Sequence, residues 1–260
     1  MKILKNQFDI NRFFKRVHKS SSMLILDYDG TLAPFVVERL KAVLYPGVRE
    51  RLIKIAELND TRLVIISGRS LNDLEGMIQL PHGIEMWGSH GLERRRSDGT
   101  KVVMEVNPNV MKGLQRGREA CGANINAAWC EVKPYSIALH QRGEEQSERV
   151  QDIQTIRSEW EKICLEFPLE IHIFDGGIEL RTHERNKGDA VEELLAEMKG
   201  HGSVAYLGDD LTDEEAFKAL GDRGLKVLVR AEWRPTVADI QLIPPEELLT
   251  FLDLWVKHGR

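Results

Sequence analysis

Met23-Leu24-Ile25-Leu26-Asp27-Tyr28-Asp29-Gly30-Thr31-Leu32 is the stretch on which the reading of this chain turns. Its four uninterrupted apolar residues read as a strand buried on both faces, the kind found inside parallel sheets. The strand runs straight into two aspartates one residue apart. Gly30 then supplies a backbone that a ligand can approach closely, and Thr31 places a hydroxyl beside it. Two carboxylates at the carboxyl end of a buried strand repel each other and are poorly solvated, so they stay ionised only if a cation or strong donors share the site. Asp-Gly is also a common hairpin signal. The choice between turn and ligand site is made downstream. Ser67, Lys187 and the Asp209-Asp210 pair each follow, or stand close to, an apolar strand, in an order that fits one phosphate site.

Working outward, 260 residues suffice for one large domain or for a core carrying an inserted module. With 42% hydrophobic and 30% charged residues the composition is that of an ordinary globular protein. A net charge of −5 argues against an extended nucleic-acid surface. Arg94-Arg95-Arg96 precedes the turn signal Ser97-Asp98-Gly99 and reads as a solvated hairpin arm. Three cysteines without a C-x-x-C pair point to a reducing, cytoplasmic setting rather than a disulfide frame or structural zinc. No apolar run reaches membrane-spanning length. The basic N-terminus carries Phe8, Ile10, Phe13, Phe14 and Val17 around Asp9, which reads as a helix packed on the domain rather than a signal core.

Taken in order, strand 23–27 is followed by a helix that Pro46 opens and that runs to about Leu58. Leu63 to Ile66 is a second continuous strand, ending at Ser67-Gly68-Arg69-Ser70, where Ser70 and Asp73 match a helix start signal. Ile84 to Trp87 leads into Gly88-Ser89-His90-Gly91 and a hairpin from Leu92 to Val106. From Pro108 the pattern changes. Helix, two alternating strands (129–135, 136–142), helix (145–167) and two more strands (170–174, 178–182) form an α-β-β unit twice over. Alternating rather than continuous apolar strands imply an antiparallel sheet covered on one face. The doubly wound pattern resumes with a helix from Asn186-Lys187-Gly188, a strand at Val204–Leu207 ending in Gly208-Asp209-Asp210, and a helix that Thr212 and Glu215 cap as a box. Strands at 225–229 and 240–243 and a helix after Pro244 or Pro245 complete it. The expectation is therefore an α/β fold, a doubly wound and mostly parallel sheet formed by 1–106 and 184–260, with an α+β module inserted over 107–183.

Ligands of open α/β sheets bind beyond the carboxyl ends of the strands. Asp27, Asp29, Ser67, Asp209 and Asp210 all follow buried strands there, and they converge if those strands are neighbours. A cluster of carboxylates without His or Cys suits Mg²⁺, which favours octahedral oxygen coordination. Lys187 is the informative oddity: in the first turn of a helix a cation opposes the macrodipole, which makes sense if an anion such as a phosphoryl group or Asp27 is its partner.

Together these residues resemble the haloacid-dehalogenase superfamily of aspartate-nucleophile phosphatases, whose motifs appear in order as Asp27-Tyr28-Asp29-Gly30-Thr31, Ser67, Lys187 and Gly208-Asp209-Asp210 with Asp213. The resemblance implies that Asp27 attacks phosphorus and that Asp29 protonates the leaving oxygen and then activates water. It also implies that Mg²⁺ is held by Asp27, the Asp29 backbone carbonyl and Asp209, with Asp210 and Asp213 orienting metal and water. Thr31, Ser67 and Lys187 would hold the phosphoryl oxygens. The spellings Leu26-Asp27-Tyr28-Asp29-Gly30-Thr31-Leu32, Ile66-Ser67-Gly68-Arg69, Gly88-Ser89-His90-Gly91-Leu92-Glu93 and Gly208-Asp209-Asp210-Leu211-Thr212-Asp213-Glu214 narrow it to a likeness with trehalose-6-phosphate phosphatases, from about 20 to 250. That likeness implies hydrolysis of trehalose 6-phosphate in trehalose biosynthesis. Glu131-x-Lys133, His140-x-Arg142 and Glu179-x-Arg181 are similar to that family's substrate-binding cap signatures, each pair spaced to share one strand face. The chain departs from the family at Val132, where an acidic residue is usual, at Thr182, where a proline is usual, and at Gln141, where an aromatic is frequent.

Two rival readings differ in class. One is a phosphatase for another sugar phosphate, such as sucrose phosphate, glucosylglycerol phosphate or mannosyl phosphoglycerate. The other is a non-catalytic phosphosugar-binding regulator, against which the retention of both Asp27 and Asp29 argues. A small-molecule sugar phosphate is the partner in every reading, with no nucleic acid and no membrane.

Overall fold

The computed structural model describes residues 1–5, 9–36, 41–80, 83–141, 146–174 and 176–259. They divide into two compact units, Met1–Val102 with Lys187–Arg260, and Val103–Asn186, so the second unit's ends fall a few residues outside the expected 107–183. In chain order the first unit begins with β1 (Lys2–Ile3), α1 (Ile10–Val17), β2 (Ser22–Asp27), α2 (Val48–Ala56), β3 (Thr61–Ile66), α3 (Leu71–Ile78), β4 (Glu85–Gly88), β5 (Glu93–Arg95) and β6 (Lys101–Val103). The second unit follows with α4 (Pro108–Cys121), β7 (Cys130–Val132), β8 (Ser136–His140), α5 (Gln146–Glu166), β9 (Leu169–Phe174) and β10 (Gly177–Thr182). The chain then returns through α6 (Lys187–Glu197), β11 (Ser203–Gly208), α7 (Asp213–Leu220), β12 (Gly224–Val229), β13 (Ile240–Leu242) and α8 (Glu246–His258).

The first unit's sheet runs β1-β13-β12-β11-β2-β3-β4-β5-β6 among the described residues, parallel from β13 through β4. Every residue of β2 and β11 is buried, as a continuous apolar run between two helical layers requires. Leu24, Leu26, Leu63, Ile65, Ala205 and Leu207 join the apolar groups of α1, α2, α3 and α8 in one core. The alternate residues point the other way, where Tyr206 meets Phe217 of α7 edge-on at 5.6 Å. Each such Leu or Ile contributes about 1.5–3 kcal/mol by burial. Asp9, which interrupts the N-terminal apolar run, is the N-cap of α1 and accepts from the N–H groups of Asn11 and Arg12. Behind it Phe13 and Phe14 pack on Trp255 at ring distances of 6.1 and 6.2 Å.

Three local expectations differ from the structure. The second helix starts at Val48 rather than Pro46, because Gly47 turns left-handed (φ 89°) between them. Thr212 does not cap α7: its backbone is already helical (φ −62°, ψ −25°) and its side chain makes no cap bond. Arg94, read as part of a solvated hairpin arm, is buried instead, its guanidinium paired with Glu85 and Glu197 and lying 4.6 Å from the centre of the Trp87 ring.

In the second unit α-β-β does occur twice, building an antiparallel sheet in the order β7-β8-β10-β9. Ile137 pairs with Leu180, and Leu139 with Ile178, on the face that packs against Val110, Leu114, Ile153, Ile156 and Trp160. Trp160 is fully buried and donates its indole N–H to the Gly117 carbonyl at 3.1 Å. Trp160→Ala should therefore lower stability by about 3–5 kcal/mol, as removal of a large core side chain does. Denaturant unfolding followed by circular dichroism measures this, and a loss under about 1 kcal/mol would mean that the unit does not depend on this core.

Candidate active site

The chain order of the parallel strands reverses between β2 and β11, since β3 and β4 lie to one side and β12 and β13 to the other. Neighbouring loops diverge at such a switch point and leave a crevice at the strands' carboxyl ends. Asp27 ends β2 and Asp209 follows β11, so the two carboxylates flank that crevice. Lys187, first residue of α6, reaches in between: its ammonium donates to Asp27 Oδ1 at 2.6 Å and to Asp213 Oδ1 at 2.8 Å. All three side chains are buried. Asp27, Asp209 and Asp213 each bring a carboxylate oxygen within 4.8 Å of the others.

The acids in this cluster are not equivalent. Asp213 Oδ1 accepts from Lys187 and from the Tyr206 hydroxyl at 2.7 Å, while Oδ2 accepts the backbone N–H groups of Asp209 and Asp210 at 2.9 and 3.0 Å. A carboxylate offers about four acceptor positions, and protein donors fill all of them here. Asp213, expected around the metal, thus braces the site. It lies so close over Gly208 that a Cβ there would fall 2.3 Å from its carboxyl carbon. Asp209 is the contrast. Its Oδ1 is buried with no hydrogen-bond partner among the described residues, as is Thr31 Oγ1. An orphaned carboxylate oxygen beside a second carboxylate is what a hard divalent cation would satisfy, so the donor set fits Mg²⁺. Gly30 (φ 82°) is required by the same acid, since an added Cβ would lie 2.0 Å from Asp209 Oδ2. Asp210 is buried next to Asp209, but its carboxylate is outside the three-acid group.

Asp29 and Ser67 both meet Arg69, a partner that the sequence did not indicate. Both Asp29 oxygens are held by Arg69, at 2.7 Å from Nε and 2.6 Å from Nη2. Ser67 follows β3 at the same rim, accepting the Arg69 N–H at 3.1 Å and donating its own N–H to the Trp87 carbonyl. Arg69 stands in the quoted Ile66-Ser67-Gly68-Arg69 motif. A basic residue just past a strand end, in reach of a neighbouring strand's acids, was the signal that could have found it.

On the second unit, Glu131 and Glu179 both align with Ala138 and so share one face of the sheet, with His172 beside Glu179. Lys133 donates to Glu179 at 2.7 Å and lies 3.6 Å from Glu131, and His140 meets Glu131 at 3.0 Å. Ser136 also donates to Glu179, at 2.7 Å, and Arg181 pairs with Glu170 at 2.9 Å. Glu131, Glu179 and Arg181 are buried, unlike a plain solvated sheet surface. Arg142 lies outside the described residues.

The trehalose-phosphatase family model matches residues 25–241, which spans both units. The chain belongs to that family. A probable trehalose-phosphate phosphatase of Arabidopsis thaliana is 27% identical over 95% of this trehalose-phosphatase family chain and 74% of its own length. The trehalose-phosphate phosphatase of Mycobacterium tuberculosis is 29% identical over 91% of the chain, which spans 62% of that relative. The C-terminal domain of Candida albicans trehalose-6-phosphate phosphatase superposes with a TM-score of 0.83 at 20% identity, covering 99% of this chain and 98% of its own, a likeness of fold.

Electrostatics in this family member follow from the surplus of acids. Burial opposes the charge of Lys187, yet Asp213 and Asp27 together raise its pKa, so it stays an ammonium. Burial, then the charges of Asp213 and Asp27, hold the Tyr206 phenol well above its usual value, a neutral donor to Asp213. Asp27 is pushed up by burial and pulled back by Lys187. Asp209 is pushed well above the usual 3.8 by burial, then by Asp27, Asp213 and Asp210. A carboxyl whose folded pKa exceeds its unfolded one binds its proton more tightly when folded. Its contribution is complete below the unfolded pKa and is lost as pH rises through the folded value. Metal-free protein should therefore lose Tm as pH rises above the ordinary carboxyl range relative to Asp209→Asn, which has no carboxyl to titrate at this position, and Mg²⁺ should restore it at the upper end of the profile. Parallel Tm profiles for the two proteins in chelator would refute this assignment.

Proposed function

We propose that this chain hydrolyses trehalose 6-phosphate to trehalose and phosphate, with Asp27 as the nucleophile. It is a phosphoric monoester hydrolase of trehalose biosynthesis, as its trehalose-phosphatase family and named relatives indicate. The observation that carries the mechanism is the asymmetry of Asp27: Lys187 holds Oδ1, and no protein donor holds Oδ2 among the described residues. A carboxylate fixed by one oxygen presents the other to an in-line phosphoryl group. The Oδ2–P bond forms as the bond from phosphorus to the sugar oxygen breaks, and that oxygen takes a proton from Asp29. Asp29, now a base, removes a proton from water, whose oxygen displaces Asp27 and releases phosphate. Arg69 holds both oxygens of Asp29 in the structure, so this role requires the ion pair to open when substrate binds. Thr31, Ser67 and Lys187 are the donors assigned to the phosphoryl oxygens.

Asp27 and Asp209 are the side chains assigned to Mg²⁺, with the Asp29 carbonyl beside them and Asp210 adjacent. The ion would neutralise negative charge on the phosphoryl group and the paired acids. Recognition of the sugar is assigned to the second unit, to Glu131, Lys133, His140, Glu179 and Arg181, with Arg142 included from the sequence. Their carboxylates are already oriented by Lys133, Ser136 and His140, the preorganisation that recognition of sugar hydroxyls calls for. No helix among the described residues is long and apolar enough to cross a membrane. Three free cysteines suit the cytoplasm, where we place the reaction.

Phosphate release from a panel of sugar phosphates, with Mg²⁺ and with chelator, tests the reading. Trehalose 6-phosphate should be turned over well and glucose 6-phosphate poorly, and activity should vanish in chelator and return with Mg²⁺. Asp27→Asn should abolish turnover in a folded protein. Lys133→Ala or Glu179→Ala should lower kcat/KM for trehalose 6-phosphate by about a hundredfold, two charged hydrogen bonds' worth, while barely touching a small aryl phosphate. Near-wild-type activity in Asp27→Asn would sink the mechanism. Preference for sucrose phosphate, glucosylglycerol phosphate or mannosyl phosphoglycerate would reassign the substrate, and equal losses on both substrates would return the second-unit residues to a purely structural role.

A further inference from the structure

Arg234 lies in the segment between β12 and β13, and its side chain reaches the loop that follows β11. Its Nε donates to the Asp209 carbonyl at 3.1 Å and its Nη2 to the Asp210 carbonyl at 2.6 Å. Nη1 donates to Glu214 Oε1 at 2.5 Å and to the Pro235 carbonyl at 3.0 Å. Glu214 is itself fixed, its Oε2 accepting the Val237 N–H at 3.0 Å. The Arg234 side chain is largely buried, 12% exposed. At the other end of the same two residues, Asp213 Oδ2 takes the N–H groups of Asp209 and Asp210. Both N–H groups and both carbonyls of the Asp209-Asp210 dipeptide are thus bonded to two charged side chains, an anion at the donors and a cation at the acceptors.

We propose that Arg234 is a positioning residue that keeps the Asp209 carboxylate facing Asp27. Asp209 is buried against two other acids, and among the described residues its Oδ1 has no hydrogen bond to hold it there. Repulsion and the gain in solvation both favour a loop that carries it out to water. Asp213 cannot resist that motion alone, because it is one of the acids doing the repelling. Arg234 grips the backbone instead of the carboxylate, so it fixes the acid's place while leaving both its oxygens free for a cation. The planar fork of arginine spans two carbonyls and a carboxylate at once, which a lysine ammonium cannot do. The same guanidinium also places positive charge behind the acidic pair.

This inference rests on Asp209 belonging to the phosphatase site, and the test separates the two. Metal-stripped full-length wild type, Arg234→Met and Arg234→Lys are titrated with Mg²⁺ alone by calorimetry, and kcat and KM for trehalose 6-phosphate are measured beside circular dichroism and Tm. Arg234→Met should weaken Mg²⁺ binding and lower kcat, each by about 10- to 100-fold, as loss of a residue supporting a metal ligand does. KM should stay within about threefold, since the sugar is held elsewhere. Arg234→Lys should recover only part of either loss, and it carries the test if the methionine variant fails to fold. Mg²⁺ affinity and kcat at wild-type values in a folded variant would overturn the proposal, as would a loss confined to Tm. Absence of turnover in wild type would defeat the activity reading, while the calorimetric comparison still decides on Arg234.

Discussion

The ammonium of Lys187, set between Asp27 and Asp213, is the interaction on which the site depends. Two like unit charges about 4 Å apart repel by about 4 kcal/mol at an effective dielectric of 20, a third adds more, and burial makes every charge costlier. One buried cation does not neutralise three acids, but it decides which of them is settled. Asp213 becomes a saturated brace, Asp27 is held by one oxygen, and Asp209 is left with an unmet one. The remaining surplus of negative charge is a property of the protein rather than a defect in it, and it is what a divalent cation, as proposed for this site, would offset. Lys187 sits where a helix N-terminus disfavours a cation, and these two acids stabilise that placement.

Sheet order explains how residues so far apart in sequence meet. Asp27 and Asp209 are brought side by side because β2 and β11 are neighbours at the reversal of strand order, and Lys187 arrives from the helix that feeds β11. The second unit is inserted between β6 and α6, immediately ahead of Lys187, so an entire α+β sheet can be accommodated without breaking any strand of the parallel core. Its own register separates an apolar face, with Ile137, Leu139, Ile178 and Leu180, from a polar one, with Glu131 and Glu179.

What could be read in the sequence was whatever a period or an uninterrupted run encodes. Met23–Leu26 and Val204–Leu207 are apolar on both faces, so strands, their burial and the acids at their ends followed directly. Alternation in 136–142 and 178–182 likewise disclosed the antiparallel unit. Long-range pairings carried no such mark. Arg69 is 40 residues from Asp29, and Arg234 is 25 and 24 from Asp209 and Asp210, whose carbonyls it holds, so neither pairing is visible in a local window. The Thr212–Glu215 expectation failed for a related reason. The spelling is that of a capping box, but Asp213 turns its carboxylate back onto the N–H groups of Asp209 and Asp210, and the chain enters the helix already in helical geometry. A tertiary demand, the bracing of the acidic loop, overrode a local one.

The two glycines of the site show the same precedence. Gly30 reads from sequence as room for a ligand's approach, yet the group that occupies the space where its Cβ would be is the Asp209 carboxylate, and at Gly208 it is that of Asp213. Both glycines therefore let an acid, Asp209 of the loop after β11 or Asp213 at the start of α7, pack against backbone with no side chain between. That packing drives Asp209 toward Asp27 and shuts out the water that would otherwise solvate it. An alanine at position 30 would act first on the placement of Asp209 and only through it on phosphate. The spelling Asp-Tyr-Asp-Gly-Thr is thus as much a constraint on the partner loop as on the substrate, and the reactive strand and the acidic loop make sense only as a pair.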